Sequence, residues 1–264
     1  MLGLLRGIWS YRQFIIDSIR NDFANRFARS RFGFIWMVAQ PLAMVLVYAL
    51  ILSEILAARL PGIENQYAYA IYLSAGFLAW TLFFELLTRT LTLFIDNANL
   101  IKKMRFPRIA LPIIVMGTGM INNAILLVAI LGVFAVLGHT GGSELLWILP
   151  MMLLTASLAL GFGLILGVLN VFIRDVGQFV TIVLQFWFWL TPIVYPLVIV
   201  PDEYRYLLEY NPLFPIVNAY QNILVYGQSP DVVSLLPAVL LALCLLVAGL
   251  LLFRKASPEM TDAL

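Results

Sequence analysis

Charge is scarce in this 264-residue chain: charged residues make up 11% of it, against 62% hydrophobic. A water-soluble domain carries about 25% charged residues, and no solvated surface accommodates so much apolar side chain. The composition excludes a soluble protein and indicates an integral membrane protein. Cysteine is nearly missing as well. Cys244 alone excludes an intramolecular disulfide, and it falls in the last apolar run, where a small hydrophobe facing lipid or another helix accounts for it. The one histidine, His139, falls in an expected outer loop and reads as solvated.

Several chemical signatures are absent too. G-x-x-x-x-G-K-[ST] does not occur, so the chain itself is not expected to hydrolyse nucleotide. There is no H-E-x-x-H, no Cys/His cluster and no pair of intramembrane carboxylates, which leaves nothing for metal-assisted or acid–base hydrolysis. Midplane carboxylates of the kind ion-coupled carriers use are likewise missing. No catalytic residue, metal site or resident cofactor is expected, and no nucleic-acid partner. The first long apolar run begins only after residue 31 and is longer than the core of a secretion signal, so a cleavable leader is not expected.

What is present is a series of long apolar runs. A helix crossing the hydrocarbon core needs roughly 20 apolar residues. Six spans are expected, at about Phe32–Leu56, Tyr69–Phe94, Ile109–Leu137, Leu145–Ile173, Val176–Tyr195 and Val232–Phe253, separated by Pro61-Gly62, Phe106-Pro107, Gly141-Gly142 and Arg174-Asp175. With this assignment fourteen of the sixteen cations fall on one side, and only Arg59 and Arg205 on the other. The positive-inside rule puts the fourteen, and with them both termini, in the cytoplasm. The whole chain, 1–264, reads as a single transmembrane domain.

Three further segments carry information. Residues 8–31 place Ile8, Ile15, Ile16, Ile19, Phe23 and Phe27 at three- and four-residue steps, with Arg12, Arg20, Arg26 and Arg29 mostly on other faces. This is the pattern of an amphipathic helix lying in the membrane interface, either a simple anchor or a lever that presents a surface to another protein. The stretch DNANLIKKMRFPR, 96–108, concentrates Lys102, Lys103, Arg105 and Arg108 in a cytoplasmic loop. Its charges help to set topology. Residues 196–230 are apolar but broken by Pro201, Pro212 and Pro215. Two short helices fit there, about Glu203–Tyr210 and Ile216–Tyr226, joined at Asn211-Pro212. They form either an ordinary interfacial belt or a re-entrant hairpin gating an outer mouth.

Within the spans, Glu85 and Arg89 stand i, i+4 in the favourable order for a helical ion pair and read as a structural pair near the cytoplasmic end. Asn122, Asn123 and Gln185 fall near mid-membrane and must bond across helices or face water. Gly163-x-x-x-Gly167 reads as close helix packing. Phe186, Trp187, Phe188, Trp189 and Tyr195 occupy the outer half of the fifth span. Aromatic faces there, with Gln185 beside them, suit the lining of a pathway, although a lipid-facing belt explains each ring equally well.

Taken together, these segments resemble the membrane permease of type-2 ABC exporters that move polysaccharides out of bacteria: O-antigen, capsule and teichoic acid exporters. YRQFIIDSIRNDFANRFARSRFGFIW followed by Gln40-Pro41 is similar to the family's interfacial helix and first span. LSAGFLAWTLFFELLTRTLTLFIDNANLIKKMRFPR is similar to its second span and first cytoplasmic loop, and NVFIRDVGQFVTIVLQFWFWLTPIVYP to its second cytoplasmic turn and fifth span. NPLFPIVNAYQNILVYG looks like its outer gate, with Tyr204, Asn211, Pro212, Tyr220 and Asn222 as gate residues. Asn21-Asp22-Phe23 departs from the more basic pattern of many relatives.

The resemblance implies a homodimer in the bacterial cytoplasmic membrane, two copies of a separate ATPase subunit that hold the ATP and Mg, and a lipid-linked polysaccharide as cargo. It also implies that Asn97, Asn99, Leu100, Ile101, Lys102, Lys103 and Arg105 couple to the ATPase, together with Arg12, Arg20, Phe23 and Arg26 of the interfacial helix. Membrane lipids are the remaining partner. An exporter of another lipid or a drug, or a non-transporting membrane scaffold, are the competing expectations.

Overall fold

The computed structural model describes residues 11–28, 33–49, 68–103, 108–136, 138–139 and 141–263. The expected positions Ile8, Arg29, Arg59 and Arg105 lie outside the described residues, as do the side chains of Arg26, Phe27 and Lys103. Among the described residues the chain is helical with no strand.

The helices are α1 Arg12–Ala28, α2 Gly33–Ala49, α3 Ala68–Asp96, α4 Ala98–Lys103, α5 Ala110–Val136, α6 Ile148–Phe172, α7 Asp175–Leu190, α8 Asp202–Glu209, α9 Phe214–Tyr226 and α10 Val232–Ala263. Among the described residues, four segments are long and apolar enough to cross a bilayer: Ala68–Asp96, Ala110–Val136, Ser143–Phe172 and Val232–Met260. The first expected span is described only as α2, which is 17 residues long. The chain is an all-α, multi-pass membrane protein.

α7 has 16 residues, about 24 Å at 1.5 Å per residue, short of the roughly 30 Å hydrocarbon core. The non-helical turn 191–196 follows, and buried backbone of that kind persists only where protein satisfies its polar groups. Here it does. Pro192 O accepts from Gln221 Nε2 at 3.0 Å and from Tyr72 Oη at 3.2 Å. Tyr195 O accepts from Tyr72 Oη at 3.1 Å, and Val194 O accepts from Tyr69 Oη. Ile193 is fully buried against Gly76, where an added Cβ would sit 3.0 Å from the Ile193 side chain.

α3 is the centre of the bundle. It is buried along most of its length and packs against α2, α5, α6, α7 and α9. The glycines of α6 permit the closest approaches. A Cβ on Gly163 would lie 2.6 Å from Thr90 Cβ, and one on Gly167 would lie 2.6 Å from the Thr90 carbonyl oxygen. On the opposite side Gly161 meets Leu245, and Gly249 of α10 meets Leu164.

The packing reading of the Gly163/Gly167 motif therefore has a defined partner in Thr90. α10 continues past its expected end at Phe253. Phe253 stacks on Phe94 at 5.0 Å, Arg108 Nη1 donates to Ser257 Oγ at 2.6 Å, and Met260 is buried. His139 corrects its expectation: it is half-buried, with Nε2 2.7 Å from Leu224 O and its ring edge-on to Phe134.

Candidate functional site

The seam between α3 and α7 carries two adjoining grooves. Toward the α8–α9 end, Phe77, Trp80, Phe84, Leu184, Gln185, Phe188 and Trp189 line a space of ≈ 370 Å³. Toward the α4 end, Thr88, Leu91, Thr92, Gly177, Gln178, Thr181 and Ile182 line a second of ≈ 350 Å³. Both walls follow helical periodicity. Residues 77, 80, 84, 88 and 91 on α3 and 178, 181, 185 and 188 on α7 advance in three- and four-residue steps, so each set forms one stripe.

The first groove is a cage of rings. Phe77 and Trp80 meet Phe188 with centroids at 5.6 and 5.4 Å, and Phe188 meets Trp189 edge-on at 5.4 Å. In the second groove the hydroxyl protons are already committed: Thr88 Oγ1 donates to Phe84 O at 2.7 Å, Thr181 Oγ1 to Gly177 O at 2.9 Å and Thr92 Oγ1 to Asp96 Oδ2 at 2.6 Å. Their oxygens keep lone pairs that can accept from a ligand hydroxyl. Neither groove, among the described residues, is lined by a charged side chain. The seam thus offers ring faces to polarised CH groups and neutral acceptors and an amide to hydroxyls, with no ion to hold a ligand in place.

The rotational phase of α7 separates the expected lining residues. Consecutive helical residues diverge by about 100°, so the four adjacent aromatics cannot share a face. Trp189 and Gln185 open onto the seam, and both are exposed. Phe186, 67% exposed, points away from it. Trp187 corrects its expectation: it turns into the bundle, edge-on to Phe83 at 5.3 Å and Phe162 at 5.6 Å, and its Nε1 donates to Asn211 Oδ1 at 2.9 Å. Tyr195 is half-buried and donates to Trp189 O at 2.9 Å.

Beyond the seam, the segment 196–230 is held very unevenly. Asn211, expected as a gate residue, is a buried hub. Its Oδ1 accepts from Trp187 Nε1 and from Leu213 N, and its Nδ2 donates to Thr191 Oγ1 at 2.9 Å and Leu190 O at 3.2 Å. All of its amide capacity for donation is engaged, so Asn211-Pro212 locks the end of α7 to the start of α9. Tyr220, expected at the interface, is 0% exposed inside the core, and its Oη has no hydrogen-bond partner. Asn222 is half-buried on α9. α8 is loosely held, as is the 197–199 turn before it: Leu208 is the one buried residue of α8, while Val198, Ile199, Tyr204 and Tyr206 are exposed.

The α4 end also redistributes its expected residues. Ile101 is 5% exposed and belongs to the core, Leu100 packs against that core, and Asn97 is half-buried with Nδ2 donating to Leu93 O at 2.8 Å. Pressing Ile101 into another protein would require unpacking this one. Among the described side chains of α4, Asn99 and Lys102 are exposed. On α1, Ile15 is buried, Phe23 is half-buried, and Arg12 and Arg20 are exposed.

The Glu85–Arg89 pair is present but loose, at 3.7 Å. Arg89 Nη2 lies closer, at 2.5 Å, to Asp22 Oδ2 of α1. Asn122 Nδ2 donates to Glu85 Oε1 at 2.8 Å, and Asn123 Nδ2 to Leu78 O at 2.9 Å. Sequence reasoning missed Asp22, the α3 wall of the seam and the threonines below it. The matching stripes on α3 and α7 were the available signal for the wall.

The family model described as ABC-2 type transporter matches residues 14–225. The chain is 28% identical over 272 residues to an O-antigen export system permease protein RfbA of Myxococcus xanthus, covering 100% of both chains. It is 28% identical over 246 residues to an RfbA protein of the same description from Klebsiella pneumoniae, covering 92% of each. It is also 23% identical over 244 residues to the polysialic acid transport protein KpsM of Escherichia coli, covering 90% of this chain and 92% of that one. The chain belongs to the ABC-2 type transporter family.

Proposed function

We propose that this ABC-2 family chain is the membrane-spanning subunit of an ATP-driven exporter that carries a lipid-linked polysaccharide, of the O-antigen type, across the bacterial cytoplasmic membrane. The observation that carries this reading is the α3/α7 seam. A glycan presents CH faces and hydroxyls in alternation and must move on once bound, and the seam offers rings, neutral acceptors and no ion. The export and transport proteins it resembles over nine-tenths or more of its length support the same cargo class.

In this reading the α4 end faces the cytoplasm, where the chain's cations concentrate, and both termini lie there. ATP and its Mg bind a separate ATPase subunit, present in two copies, which docks on α1 and on the exposed edge of α4, Asn99 and Lys102. The permease itself performs no chemistry. One subunit's seam is open on one side, and a second copy of the chain closes it into a path. Thr88, Thr92, Gln178 and Thr181 receive sugar hydroxyls at the cytoplasmic end, and Trp80, Phe84, Gln185 and Trp189 conduct them outward. An exporter of an apolar lipid or drug would have little use for the threonine- and glutamine-lined section.

The test is deletion of the gene in its own host, with surface polysaccharide extracted from intact cells and intracellular glycan measured in parallel. Loss of surface glycan with accumulation inside, restored by the intact gene and not by Gln185→Leu/Trp189→Ala, is the expected result. Unchanged surface glycan, or loss of a different lipid class, overturns it.

A further inference from the structure

Asp22 is the one acidic residue of α1 that turns toward the bundle: it is half-buried, while Asp17 is exposed. It meets Arg89 Nη2 at 2.5 Å. Arg89 belongs to the turn of α3 whose neighbours Thr88 and Thr92 line the polar groove. Its second carboxylate, Glu85, waits at 3.7 Å and is itself tied to Asn122 of α5 at 2.8 Å. α1 also rests on α5 three residues before Asp22, where Ile19 fills the notch left by Gly117: a Cβ there would meet Ile19 Cδ1 at 2.4 Å. The three helices close a ring, and Arg89 supplies opposite-charge contacts within it.

This geometry has two settings. With α1 seated, Asp22 takes the guanidinium. With α1 displaced along α5, Arg89 needs to move only about an ångström to bring Glu85 from 3.7 Å into hydrogen-bond range. Both settings keep the cation paired, which is what a joint that moves within a partly buried site requires.

We propose that Asp22 and Glu85 compete for Arg89, and that this exchange is the joint through which displacement of the interfacial helix α1 moves the α3 wall of the polar groove. Asp22, Glu85 and Arg89 are positioning residues, acting on the cargo through Thr88 and Thr92. The inference rests on the export reading above, with α1 as an element that the ATPase displaces.

The experiment uses the permease complex with its own ATPase, expressed in the host from which the gene comes. Three quantities are read: permease level in the membrane, ATP hydrolysis by the purified complex, and surface polysaccharide extracted from intact cells. Asp22→Asn preserves shape and removes the charge. The expected result is normal membrane level and ATP hydrolysis, with export per ATP reduced about five- to tenfold, the scale of a typical coupling free energy. Asp22→Glu restores most of it, and the charge swap Asp22→Arg/Arg89→Asp recovers more export than either single change.

Export per ATP unchanged in Asp22→Asn overturns the proposal. So does a fall in membrane level that accounts for the whole loss, which makes the contact one of folding only, and so does a swap no better than its singles. If the unsubstituted complex hydrolyses ATP but moves no glycan, the export reading fails instead, which keeps the two failures apart.

Discussion

Arg89 holds Asp22, 67 residues earlier in the chain, at 2.5 Å, and Glu85, one turn away on its own helix, at 3.7 Å. An i, i+4 spacing predicts that the local carboxylate is the main partner; the structure gives that place to a remote one. Removing Arg89 therefore takes the shared guanidinium away from two carboxylates, each about one-quarter to one-third exposed at the side chain. Arg89→Ala should lower stability in detergent by about 1–3 kcal/mol, below the value for a fully buried pair because water still screens the site. Glu85→Gln, which keeps an acceptor for Asn122, should cost less than half as much. Thermal unfolding of the two purified variants checks the order; equal losses would return Glu85 to the position of main partner.

The glycines of α6 and α5 give a second comparison. A methyl at Gly167 would sit 2.6 Å from the backbone oxygen of Thr90, an atom that cannot swing aside, whereas a methyl at Gly132 meets nothing within 4 Å. Gly167→Ala should cost about 1–3 kcal/mol by overpacking the α3–α6 contact, and Gly132→Ala should be neutral or slightly stabilising. Melting temperatures of the two variants in the same detergent test this.

Much of this architecture can be read along the chain. The apolar runs, the proline-broken stretch before α10 and the need for Asn122 and Asn123 to bond across helices all follow from composition and local spacing. What spacing does not carry is the rotational phase of a helix that is apolar all round. FWFW on α7 has no polar face to orient it, so only packing decides that Trp187 turns toward Phe83 and Phe162 while Trp189 opens onto the seam. In the same way Asp22 is one of two acids on α1, and only the fold shows which of them meets Arg89.

The short helix α4 separates folding from docking. Ile101→Ala removes a side chain buried in the subunit's own core and should cost about 2–4 kcal/mol, in the range for large-to-small core changes, lowering melting temperature and export together. Lys102→Glu alters an exposed residue. It should leave melting unchanged and reduce recovery of the ATPase subunit when the permease is purified by affinity tag. If Lys102→Glu retains the ATPase fully, Lys102 contributes no charge to docking.

In the export reading proposed above, the outer seal is expected where the segment around 196–230 is held most firmly. α8 makes little contact with the rest and exposes Tyr204 and Tyr206, while the 191–196 turn and α9 are pinned by Tyr69, Tyr72, Gln221 and Asn211. A path wide enough for a glycan leaks ions unless something closes it at rest, and the pinned layer is the part rigid enough to do so. Asn211→Ala strands the Trp187 and Leu213 N–H groups and should cost about 2–4 kcal/mol. It should also raise passive release of a small anionic dye from liposomes carrying the purified permease. Tyr204→Ala/Tyr206→Ala should leave release at the parent level, because α8 contributes little to the pinned layer. Tyr220→Phe is the control: it removes a buried hydroxyl that makes no well-formed hydrogen bond among the described residues and has Thr155 as a polar neighbour, so it should leave the liposomes tight and change stability little. Leakage from the α8 variant with a tight Asn211→Ala variant would move the seal outward, to the tyrosines themselves.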